Sequence, residues 1–255
     1  MRFFRGGPTI RCLASLVAIA LVATIVAASP QQSPTDRIIE EDLRLRPPLV
    51  PCAVPAYAAL VARSARVPAG IEAVPERCDV GSKTPADSAN DVFLQGVSVR
   101  EAFDKLIQLD PRYTWTEADG VLVIRPVLAS NDSSHFLHQT ISLNLVDERL
   151  SGALRAIQMA LTPFLPQGVD QFAFRTPDGN RRFSVSLNAT SVLEALNASV
   201  RVHGSMWWEV RYCQPAARYE YATIGFKTFD GSGLSGHAAT RGDDGKMFDA
   251  CGSRK

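Results

Sequence analysis

The chain has 255 residues, 46% of them hydrophobic, with 27 basic and 26 acidic side chains and a formal net charge of +1. So even a balance, with no basic stripe interleaved with aromatics, gives nucleic-acid binding no electrostatic support. The length is enough to bury a core and to hold more than one small domain.

At the N-terminus, Arg2, Arg5 and Arg11 stand without an acid, and Cys12 to Ala28 is apolar apart from Ser15 and Thr24. Val26-Ala27-Ala28 ahead of Ser29 fits the small-residue rule at a cleavage site, so residues 1–28 read as a secretory signal and 29–49 as a linker. The apolar run approaches the ~18 residues a spanning helix needs, so an uncleaved N-terminal anchor is the alternative, and the only membrane contact expected. Either way, the remainder is expected to be periplasmic or secreted. Loss of the segment removes Cys12 and leaves Cys52, Cys78, Cys213 and Cys251, an even number in an oxidising compartment. Three connectivities are open. Cys52–Cys78 with Cys213–Cys251 is favoured, because each bridge stays within one half and closes a loop of modest length, contributing about 3–4 kcal/mol on the chain-entropy account. None of these cysteines stands at C-x-x-C spacing, so zinc is not expected.

Val54 to Glu72 reads as a helix followed by a strand. Ser98 and Glu101 then have the S-x-x-E spacing of a capping box, which starts a helix near Val99. Phe103, Leu106 and Ile107 form its apolar face, and Pro111 stops it. Tyr113 and Trp115 alternate with polar neighbours, Asp119-Gly120 supplies a type I′ turn, and Val121 to Ile124 returns as a strand.

This order of elements, and in particular the run Val92-Phe-Leu-Gln-Gly-Val-Ser-Val-Arg-Glu-Ala-Phe-Asp-Lys-Leu106, resembles the secretin and TonB short N-terminal (STN) domain. The resemblance covers residues 50–127. One departure is the segment Cys78 to Asn90, longer and more polar than the tight connection that family uses. The resemblance implies a periplasmic protein–protein or ligand-sensing module without catalytic residues, and it transfers no residue roles.

Residues 128–138, with Ser130-Asn-Asp-Ser-Ser134, read as a linker. A second module is expected over 139–214. It comprises a strand from Thr140 to Leu145, a helix with Leu150, Ala153, Leu154, Ile157 and Leu161 on one face, a hairpin through Pro177-Asp-Gly-Asn180, a helix capped by Ser191, and a strand Met206–Tyr212. Gly96 to Phe103 and Ala189 to Leu196 share the cap and the Glu-Ala pair, which suggests an internal duplication. Residues 215–255 form a Gly-rich extension in which Tyr219 to Phe229 supplies one or two edge strands and the part after Asp230 is expected to be mobile, pinned only if Cys251 is bridged. The fold class is therefore α+β: two small modules of helices packed on short antiparallel or mixed sheets, with antiparallel pairing and helices on one face preferred.

Chemistry is sparse. His135 and His138 lie in the linker and read as solvated or partly packed rather than as ligands, and His203 and His237 have no nucleophile beside them in a recognisable elbow. Asp110, Glu117 and Asp119 are accounted for by the helix end and the turn. No catalytic residue, cofactor or metal is expected. Trp115, Trp207 and Trp208 are the candidate binding surface; as neighbours on one strand Trp207 and Trp208 point to opposite faces, one into the core and the other outward or into an interface. The expected function is a non-catalytic envelope protein that binds a protein partner or a small ligand. The alternatives are an envelope enzyme with a scattered site and an accessory component of a secretin- or TonB-linked system.

Overall fold

Two serines open two helices by the same local chemistry: Ser98 Oγ accepts from the Glu101 N–H (3.2 Å) and Ser191 Oγ from the Glu194 N–H (3.1 Å). A computed structural model describes residues 33–45, 50–74, 92–164, 169–173, 181–212, 221–230, 233–241 and 247–249, all within one unit, Gln32–Lys255. Its elements are β1 (Arg44–Leu45), α1 (Val50–Ser64), β2 (Ala69–Ala73), β3 (Val92–Phe93), α2 (Val99–Leu109), β4 (Tyr113–Ala118), β5 (Val121–Pro126) and α3 (Val127–Asn131). They continue with β6 (Thr140–Glu148), α4 (Leu150–Leu161), β7 (Val169–Ala173), β8 (Phe183–Ser191), α5 (Val192–His203), β9 (Met206–Tyr212), β10 (Tyr221–Thr228), β11 (Gly233–Arg241) and β12 (Met247–Asp249). The expected signal segment, Cys78, Cys213, Cys251, the side chain of Cys52 and the turn Pro177–Asn180 lie outside the described residues.

The fold is α+β, as expected, but its main sheet is mixed rather than a set of antiparallel hairpins. Strands run in the order β12-β11-β10-β9-β2-β5-β4, with β7 also on β11. Central β2 is parallel to both β5 and β9, and the other pairings are antiparallel. Ala69 to Glu72 and all of β5 are buried, the pattern of strands covered on both faces, which parallel pairing requires. Because β9 pairs with β2, the two expected modules share one sheet.

Register assigns the faces, since partners across a ladder point the same way. Ile71, Ile124, Trp115, Trp207 and Lys227 lie on one face; Gly70, Glu72, Arg125, Trp208 and Phe226 lie on the other. The first face packs under α1 and α2 through Val54, Ala58, Val61, Phe103 and Leu106. The second packs under α4, α5 and the separate β6–β8 pair, through Leu154, Ile157, Leu196, Ile141 and Val185 among others. Helices therefore cover both faces, not one.

Two further expectations give way to long-range pairing. Among the described residues, the strands flanking Pro177–Asn180 pair elsewhere: β7 with β11, and β8 with β6. Pairing with β6 sets Val185 opposite Leu145 and Leu187 opposite Leu143 in one apolar cluster, a gain that local turn propensity does not match. The stretch after Asp230, expected to be mobile, contributes β11 and β12 to the sheet edge. Among the described residues no helix is long and apolar enough to cross a membrane.

Candidate functional site

The strands Ala-Gly-Ile-Glu-Ala of β2 and Val-Leu-Val-Ile-Arg-Pro of β5 each carry one charge in an apolar run. The three mutually aligned strands β5, β2 and β9 bring Arg125, Glu72 and Tyr212 together at their carboxyl ends. Glu72 is 0% exposed and Arg125 5%. Arg125 Nε donates to Glu72 Oε1, and the Tyr212 hydroxyl donates to Oε2. His135 Nδ1 accepts from the Leu137 N–H (3.3 Å) and from Arg125 Nη2 (3.4 Å). Its proton therefore sits on Nε2, which donates to the Tyr212 oxygen at 2.8 Å.

The result is a closed ring of four buried side chains. Burial pushes the His135 pKa down to about 4, helped by the charges of Arg125 and His138 and opposed by Asp132. Burial likewise lifts Glu72 above the usual glutamate range, while Arg125 and the Tyr212 hydrogen bond pull against that lift. Arg125 also reaches the Ala129 carbonyl (3.4 Å) and His138 Nε2 (3.5 Å). The stretch read as a linker is thus ordered: it forms α3 and a 3-10 turn at Phe136–His138, with His135 and Leu137 buried. The expectation that His135 is solvated or partly packed is corrected by this ring, whose members lie far apart in sequence.

On the opposite face of the sheet, α1 covers β2 but leaves β9 and β10 partly open. A cavity of about 600 Å³ results, with Trp207 on its floor and Pro55, Ala59 and Leu60 of α1 on its wall. Ala73, Val74 and Tyr212 close one end, and Arg63, Lys227, Glu209 and Arg211 supply the charge. The volume falls in the range of small-molecule sites. Glu209 is taken up by Arg211 (2.7 Å), and Arg63 Nε donates to the Phe229 carbonyl (3.1 Å).

The structure separates the three tryptophans. Trp207 is 9% exposed, lines the cavity and stacks on Phe229 at 6.1 Å. Trp208 is fully buried on the other face, its Nε1 donating to Asn197 Oδ1 at 2.8 Å, and it presents no surface. Trp115 is half-buried, edge-on to Phe103 and hydrogen-bonded to Asp104 (2.9 Å). The acids of the first hairpin have structural partners: Asp110 binds Arg112 through both oxygens, Glu117 accepts from Ser33 and Thr35, and Asp119 lies 3.3 Å from Arg201. Glu72, Arg125, Tyr212, Arg63 and Lys227 escape sequence reading. The lone charges inside the apolar runs of β2 and β5 are the one signal that points to a buried pair.

A second cavity of about 370 Å³ lies beside the end of α5, between Arg66, Arg181, Thr228 and Asp230. His203 borders it, edge-on to Phe183 at 5.6 Å, and neither ring nitrogen has a hydrogen-bond partner among the described residues. Burial, and after it the charge of Arg181, lowers the pKa of this imidazole, against Asp230. The side chain of His237 lies outside the described residues, and among the described residues no group of three His, Cys, Asp or Glu is placed to hold a metal ion. No family model, curated protein or solved structure matches the chain.

Proposed function

We propose that this chain is a non-catalytic, exported binding protein of the cell envelope, and that its ligand site is the cavity between α1 and β9. The observation that carries this reading is the cavity itself: a concave, mostly apolar space of about 600 Å³ floored by Trp207 and edged by a few charged side chains. The buried ion pair Glu72–Arg125 spends its hydrogen bonds on itself and on Tyr212 and His135, which suits a structural role better than a proton-transfer centre. Export rests on the N-terminal signal pattern, and the paired cysteines Cys52–Cys78 and Cys213–Cys251 belong to the same reading. The STN resemblance over residues 50–127 agrees with a sensing or binding role.

The test is retention of material from envelope extract by the wild-type chain and by Ala56→Trp, which fills the cavity from an exposed position on α1. A compound or protein held by the wild type and lost in the variant is the expected result. Equal retention by both would move the site elsewhere, and turnover of a retained compound would replace binding with catalysis.

A further inference from the structure

We infer that the ligand of the α1/β9 cavity is a small amphipathic anion, an acyl or aryl body carrying a carboxylate or phosphate head; this rests on the site proposed above. The two ends of the cavity differ in chemistry. Helix α1 is followed by β2, and β2 aligns with β9 so that Ala69 faces Trp207 and Ala73 faces Arg211. The last turn of α1, with Arg63, therefore lies at the Trp207 end, while Pro55, Ala56 and Val74 lie at the other.

Among the described residues lining the cavity, the cations without a carboxylate partner lie at the Trp207 end. Lys227 is the register partner of Trp207, so its stem rises from the floor beside the indole, and it makes no ion pair with any described carboxylate. Arg63 is held in place through Nε on the Phe229 carbonyl, and its remaining nitrogens likewise meet no carboxylate among the described residues. At the far end Arg211 is neutralised by Glu209. Leu60, a large apolar side chain, is 43% exposed on the cavity wall. A ligand with its anionic head between Arg63 and Lys227 and its apolar body along Leu60, Ala59 and Val74 covers that surface and balances both cations. A cationic ligand would meet two like charges.

Titration calorimetry with octanoate, octyl phosphate, octanol and octylammonium, on the full chain, tests the class of ligand. Octanoate or octyl phosphate should bind at least about fivefold more tightly than octanol, the scale of one half-exposed ion pair, and octylammonium more weakly than either. Lys227→Gln should lose about that factor for the anions and keep the affinity for octanol, with an unchanged thermal melt. Equal affinity for octanol and octanoate, or an anion affinity untouched by Lys227→Gln, overturns the anionic head while leaving the cavity as a binding site. Absence of binding by all four probes, together with identical envelope retention by wild type and Ala56→Trp, overturns both.

Discussion

The indole of Trp208 occupies the space that any side chain on Gly70 would need. A Cβ built on Gly70 falls 2.1 Å from Trp208 Cε2 and Cζ2, and the two residues are register partners on β2 and β9. The ring cannot swing away cheaply, because it is fully buried and its Nε1 is bonded to Asn197. Gly70 is required here for close approach. Gly70→Ala should destabilise the fold by about 1–3 kcal/mol, the usual cost of overpacking, as read by denaturant melts. In a Trp208→Phe background the same substitution should cost much less. An equal cost in both backgrounds would show that the indole is not the obstacle.

The buried pair Glu72–Arg125 should behave asymmetrically. Removing one partner leaves the other charge buried and unpaired, so Arg125→Met should cost about 3–5 kcal/mol. Replacing both, as Glu72→Met with Arg125→Met, should recover much of that loss, because the desolvation of both charges is removed together. The double-mutant cycle supplies the measurement, and additive losses would mean that the two side chains do not act as a pair.

Acid should weaken the fold through His135. In the fold its pKa is pushed down to about 4, whereas an unfolded imidazole titrates near about 6.5, so between these values the unfolded chain binds the extra proton. Its contribution is fully present above about pH 6.5 and is lost as pH falls towards 4. Glu72 has the opposite slope: its raised pKa lets the fold hold a proton that the unfolded chain has released. The imidazole faces Arg125, Tyr212, His138 and Asp132, so the comparison needs a variant that keeps those contacts. His135→Gln retains a donor and an acceptor but does not titrate. Between pH 7 and pH 4 the wild type should lose about 2–3 kcal/mol more than this variant, and parallel pH profiles would remove the imidazole from the balance.

At the first hairpin, Asp119 (φ 50°) and Gly120 (φ 79°) both have positive φ, as a type I′ turn demands. Gly120→Val places a β-branched residue in that conformation and should cost at least about 1 kcal/mol. Asp119→Asn suits the turn equally well and gives up only the exposed pair with Arg201, so its effect should stay below about 0.5 kcal/mol. Melts of the two variants decide this, and a stable Asp119→Asn protein that no longer binds would assign the carboxylate a role in recognition.

The features legible in the residues alone are those whose partners lie within a few positions. Ser98 with Glu101, Ser191 with Glu194 and the turn at Asp119-Gly120 each complete their hydrogen bonds or satisfy their dihedral demands inside one local segment, so spacing is enough to identify them. The opposite orientations of Trp207 and Trp208 follow from strand alternation in the same way. The choice of partner strand does not. Burial across both faces of the sheet determines that β2 meets β9, that β8 turns to β6, and that Glu72 meets Tyr212 across 140 residues. Contacts of that separation carry a loop-closure cost that only the assembled core repays, so the ring at His135 and the cavity beneath α1 come into being with the tertiary structure.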